Sequence, residues 1–92
     1  MADIAKHIIF SGRVQGVGFR YYTLQRAITH NIKGYVKNTF DGKVKIVAIA
    51  EQNSMENFFN DIRKGPRLSI VDNLDITVLT ATRDYTNFRI QY

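Results

Sequence analysis

The sequence predicts an α+β fold, a two-layer sandwich with two helices on one face of an antiparallel sheet and an additional C-terminal edge strand. Three observations support it. Short β-branched runs and helix-period runs follow one another in the order βαββαβ, and a last alternating segment is appended. Asp41-Gly42 stands between the two middle strands and signals a hairpin, because both residues tolerate positive φ. The second helical run carries a single apolar stripe, the mark of a helix laid on a sheet. This order is the ferredoxin-like arrangement. It hosts enzymes, RNA binders and metal carriers alike, so it does not fix function.

Each element has a local reason. Lys6 to Ser11 is short, apolar and β-branched, and reads as a strand. Glycines at 12, 16 and 18 then break the chain into a loop. From Phe19 onward Leu24, Ala27, Ile28 and Ile32 recur at helical spacing, and Asn31 can take the left-handed conformation that closes a helix. Gly34 to Asn38 is the second strand and Lys43 to Ala50 the third. In the second helix Met55, Phe58, Phe59 and Ile62 form the stripe, Asn53 is placed to cap with Glu56 three residues on, and Gly65-Pro66 ends the run. Ser69 to Leu79 holds a strand that Asp72-Asn73 and Asp75 are expected to bend or interrupt. At the C-terminal end Phe88, Ile90 and Tyr92 alternate with Asn87, Arg89 and Gln91.

The 92 residues, 45% hydrophobic and 23% charged, make one globular domain over 1–92. There is no cysteine, which excludes disulfides, thiolate nucleophiles and thiolate metal sites and fits a reducing compartment. No signal peptide is visible and no apolar run reaches membrane-spanning length, so a cytoplasmic location with no membrane contact is expected. The formal net charge of +5 attracts phosphates of any kind without choosing among them.

Chemistry concentrates in Gly12-Arg13-Val14-Gln15-Gly16-Val17-Gly18-Phe19-Arg20. Glycines between a strand and a helix let backbone N–H groups turn towards one point, and the helix N-terminus adds free donors and positive potential. Together they suit a phosphate. Arg20 breaks a local rule, because a cation in the first helical turn faces the positive end of the helix dipole at a cost of about 0.3–1 kcal/mol. A bound phosphate would compensate, since a guanidinium fork matches two of its oxygens. A nucleotide P-loop is excluded because no Gly-Lys-Ser/Thr follows, and a dinucleotide fingerprint because position 21 is Tyr21.

The other polar residues are weaker candidates. Asn38 puts a polar side chain in series with Val36 and Phe40, but on its own reads as an ordinary residue beside a hairpin turn. His7 and His30 have no spaced partner for a metal, and His30 is better placed to stabilise the end of the first helix. Asp72, Asn73 and Asp75 lack calcium-loop spacing. Phe58 and Phe59 belong to the core.

Gly12 to Arg20 resembles the first acylphosphatase signature in full. Gly34-Tyr35-Val36-Lys37-Asn38, with Gly42 and Val44 downstream, resembles most of the second. Gly65-Pro66 and Phe88-Arg89-Ile90 also sit where that family has them, so the resemblance spans nearly the whole chain. It implies hydrolysis of acyl phosphates to carboxylate and inorganic phosphate by metal-independent, in-line attack of water. It also implies that Gln15, Gly16, Val17, Gly18, Phe19 and Arg20 bind the phosphate, and that Arg20 and Asn38 are catalytic, Asn38 by orienting the water. No metal or cofactor is expected, the partner is a small-molecule acyl phosphate, and no nucleic acid is expected. A monomer is expected for want of a dimerisation stripe. Two departures stand out: the second signature usually closes on glycine where this chain has Ala50, and a Leu-Gly-Leu join is replaced by His30-Asn31-Ile32.

The chemistry is consistent with these residues. The leaving carboxylate is a weak base and needs no general acid, so the lack of a paired carboxylate or His/Asp arrangement is no objection. A loose transition state needs a placed water and stabilised phosphoryl charge. The rival readings are non-catalytic. An RNA-binding module is imitated by Gln15 to Tyr22, but Gln15, Val17 and Arg20 are wrong for that signature, which belongs on a third strand whereas only one strand precedes it here. A phosphate-binding domain without turnover, or one module of a larger carbamoyl-transfer protein, is the other alternative.

Overall fold

The computed structural model describes residues 3–80 and 84–92. The elements are β1 (Ile4–Arg13), α1 (Phe19–Thr29), β2 (Lys33–Asn38), β3 (Val44–Ala50), α2 (Gln52–Ile62), β4 (Ile70–Leu79) and β5 (Phe88–Gln91). They form one sheet in the order β4-β1-β3-β2-β5 with both helices packed on it. The side chains turned towards the helices, Ile8, Phe10, Val36, Val44, Ile46 and Ala48, are fully enclosed. They meet Phe19 and Ala27 of α1 and Met55, Phe58 and Ile62 of α2 in one core.

Four strands are antiparallel, as the sequence predicts, but β5 runs parallel to β2 and makes the sheet mixed. The reason is topological. β4 ends beside Ala5, at the end of the sheet where β2 begins, and β5 starts beside Gly34 at that same end. A chain entering there can only run in the direction of β2. The far end of β5 is thereby delivered next to Asn38.

Other expectations are corrected in detail. Ile28 lies on the outer side of α1 and is 66% exposed; the inward face is Phe19, Thr23 and Ala27, with the Thr23 hydroxyl donating to the Phe19 carbonyl at 2.9 Å. The α2 stripe is as expected, but the cap is not: Glu51 is the N-cap residue and no side chain caps the helix, because the helix begins one residue before Asn53. β4 is continuous through Asp72, Asn73 and Asp75. The bend is a bulge, with Ser11 opposite Asn73 and Gly12 opposite Val71, so that Asp72 is the extra residue. Asn31 does take the left-handed conformation, at φ 57°. His30 ends α1, and its Nε2 lies 2.7 Å from Asp61 Oδ2 on α2, which ties the two helices together.

Candidate active site

The glycine loop connects the end of β1 to α1 and is pinned by its apolar residues. Val14 and Phe19 are buried, Val17 packs against the core, and the Phe19 ring lies 5.0 Å from that of Phe10. Between these anchors Gly16 and Gly18 sit at φ 72° and 80°. A Cβ at either would touch nothing within 4 Å, so the demand for glycine there is conformational. The loop is thus held from below while its backbone faces outward.

Gly18 is the N-cap of α1, in the left-handed region, and no side chain caps the helix. The first helical bond is Tyr22 N–H to the Gly18 carbonyl, which leaves the amides of Phe19, Arg20 and Tyr21 without helical partners. No acidic residue stands in the first turn. Among the described residues no carboxylate pairs with Arg20; Asp61 forms an ion pair with Arg26 and also meets the His30 imidazole. The positive end of α1 and the Arg20 guanidinium therefore reinforce one another without internal neutralisation.

These groups open onto a pocket of about 250 Å³ lined by Val14, Gly16, Gly18, Phe19, Arg20, Tyr21, Asn38, Ile90 and Tyr92. Asn38, the last residue of β2, lines this pocket; its Oδ1 is buried, and no protein donor reaches that oxygen. An unpartnered buried acceptor costs about 1–3 kcal/mol. It is an invitation to a donor such as water. A larger cavity of about 400 Å³ at the opposite end of the sheet is lined by Asp3, Lys33, Asp84 and Tyr85 among others. With two carboxylates and one cation it has the wrong charge for an anion.

Of the residues singled out in the sequence, Gly16, Gly18, Phe19, Arg20 and Asn38 converge on this pocket. Gln15 and Val17 do not line it: Val17 packs inward, and Gln15 reaches to the β2–β3 turn. Sequence reasoning missed Tyr21, Ile90 and Tyr92. Tyr92 lies with its ring centroid 5.0 Å from the Arg20 guanidinium carbon. Its only signal was the alternation it shares with Phe88 and Ile90, which places it on a face without saying which strand it joins.

A profile of the acylphosphatase family matches residues 6–90. The acylphosphatase of Archaeoglobus fulgidus is 40% identical over 89 residues, covering 97% of this chain and 99% of that protein. The acylphosphatase of Thermotoga maritima is 41% identical over 88 residues, covering 96% and 97%. The crystal structure of acylphosphatase from Bacillus subtilis superposes with a TM-score of 0.92 at 35% identity, covering 97% of this chain and 99% of that one. Full-length HypF, solved in a phosphate- and nucleotide-bound form, contains a similar module (TM-score 0.87, 30% identity, 98% of this chain but 12% of that one). Profile, relatives and structures agree over almost the whole length: this chain belongs to the acylphosphatase family.

Proposed function

We propose that this acylphosphatase holds the phosphoryl group of its substrate on the amides of residues 16–20 and the Arg20 guanidinium, while Asn38 holds the water that attacks phosphorus. The observation that carries the reading is the buried, unpartnered Oδ1 of Asn38, a residue that lines the same pocket as Arg20 and the uncapped start of α1. Oδ1 accepts a hydrogen bond from the water and leaves an oxygen lone pair directed at phosphorus. As the P–O bond to the acyl group lengthens, negative charge on the phosphoryl oxygens is met by donors already in place, at no cost of reorganisation. The new bond joins water oxygen to phosphorus, the bond broken joins phosphorus to the acyl oxygen, and the bonding pair leaves with the carboxylate. The water proton passes to the phosphate. No step requires a metal, and no general acid is needed.

The free guanidinium and the uncapped helix account for specificity towards the phosphoryl end. The acyl end meets Tyr21, Ile90 and Tyr92, which offer rings and an aliphatic face rather than charges. The chain acts as a cytoplasmic monomer on small acyl phosphates, without nucleic acid. The lack of cysteine fits a reducing compartment and equally fits any other. Placement of the glycine motif before α1, not on a central strand, supports a phosphate loop over an RNA platform.

Hydrolysis of benzoyl phosphate by the purified protein in EDTA tests the reading, with Arg20→Ala and Asn38→Ala alongside. Turnover is expected in the wild type, with losses on the order of 10²-fold or more in each variant. A well-folded wild type that releases no phosphate, or variants that keep full turnover, would overturn it.

A further inference from the structure

Gln15 stands one residue before the turn at Gly16, yet its side chain leaves the loop. Nε2 donates to the Thr39 carbonyl at 2.6 Å and to the Lys43 carbonyl at 2.9 Å. These carbonyls mark the two ends of the β2–β3 turn: Thr39 follows Asn38, and Lys43 precedes Val44, the cross-strand partner of Asn38. The turn is already braced internally. Thr39 N–H donates to the Lys43 carbonyl at 2.9 Å, and Lys43 N–H donates to the Thr39 hydroxyl at 3.0 Å. The β1–β3 ladder ends at Phe10 opposite Val44. Beyond it, among the described residues, the Gln15 amide makes the only hydrogen bonds between the glycine loop and this turn. An NH₂ group has two hydrogens, and here each has a carbonyl.

We infer that Gln15 is a positioning residue: it fixes the distance from the phosphate loop to Asn38, and through it the place of the attacking water relative to phosphorus. The inference rests on the roles assigned to Arg20 and Asn38 above. The two halves of the site come from different elements, α1 with its loop and the end of β2, and in-line attack depends on their separation. A misplacement of about 1 Å can cost a reaction of this kind on the order of 10²-fold. Binding of phosphate itself needs only the loop and Arg20, so losing the Gln15 clamp separates turnover from affinity.

The test uses Gln15→Met, which is close in length and shape but donates no hydrogen bond, made in the wild type and in Asn38→Ala. Benzoyl phosphate turnover and competitive inhibition by inorganic phosphate are measured for all four proteins. In the wild-type background kcat is expected to fall about tenfold while the inhibition constant of phosphate stays within about twofold. In Asn38→Ala the same substitution is expected to change kcat by less than about twofold, because the residue it serves is gone. Should Gln15→Met not fold, Gln15→Asn, too short to reach both carbonyls, takes its place. Equal losses in both backgrounds, a phosphate constant that weakens in step with kcat, or an undiminished kcat would each overturn the clamp. In each of these cases an active wild type with the losses expected of Arg20→Ala and Asn38→Ala leaves the assignment of those two residues standing, whereas an inactive wild type overturns both readings.

Discussion

The Tyr92 ring lies against the Arg20 guanidinium, its centroid 5.0 Å from the guanidinium carbon, and joins the end of the sheet to the first turn of α1. Tyr92 is itself almost fully exposed, at 95%, so the contact is an open one. A cation over an exposed aromatic face is worth about 0.5–1 kcal/mol. Tyr92→Leu removes the face and frees the guanidinium to sample other rotamers; kcat/KM for benzoyl phosphate is expected to fall about two- to fivefold. Tyr92→Phe keeps the face and is expected to stay near the wild type. Equal losses in both would assign the effect to the hydroxyl instead.

Arg20 tests geometry against charge. Lysine keeps the positive charge but not the planar fork that meets two phosphoryl oxygens at once. Arg20→Lys is expected to lower kcat/KM on the order of 10²-fold, less than Arg20→Ala, with weaker inhibition by inorganic phosphate in both. Steady-state kinetics with phosphate as a competitive inhibitor measures this. A lysine variant equal to the wild type would reduce the role of Arg20 to a point charge.

The parts of this molecule written in local pattern were legible in the sequence. The stripe of Met55, Phe58 and Ile62, the hairpin at Asp41-Gly42 and the left-handed Asn31 depend on near neighbours, and the structure has each of them. What depends on distant partners was not legible. Ile28 keeps helical spacing with Leu24 but lies outside the arc that the sheet covers, and only tertiary packing decides how wide that arc is. The parallel pairing of β5 follows from where β4 ends, so Ile90 and Tyr92 could not be placed beside Arg20. Asn38 was visible mainly through resemblance; the unpartnered state of its Oδ1 is a property of the fold.

Gly18 couples stability to the site. It occupies φ 80° as the N-cap of α1, a region a side chain enters at a cost of roughly 1–2 kcal/mol, although a Cβ there would meet open space. Gly18→Ala is expected to lower Tm by about 4–15 °C in a domain of this size. Relaxing the strain would turn the Phe19 and Arg20 amides away from the pocket, so phosphate inhibition is expected to weaken as well. Thermal unfolding followed by circular dichroism, with and without saturating phosphate, separates the two effects. A variant that loses stability but keeps phosphate affinity would show that the loop amides do not depend on the Gly18 conformation.

His7 gives the stability a pH dependence whose sign follows from its surroundings. It lies on the sheet face away from the helices, between Val47 of β3 and Thr77 of β4. Burial first, and the Lys45 ammonium second, hold its pKa below the ordinary histidine value of 6.5. The unfolded chain therefore binds the proton more readily than the folded one. As pH falls through 6.5 towards the lowered folded value, protonation favours unfolding and stability is lost; above 6.5 the group contributes no slope. His7→Gln removes the titration and keeps a polar group of similar length. Urea midpoints compared at about pH 7.5 and 5.5 are expected to fall less in the variant than in the wild type, since the other titrating groups are common to both. A larger fall in the variant would mean that the folded state prefers the protonated imidazole, and would reverse the assignment.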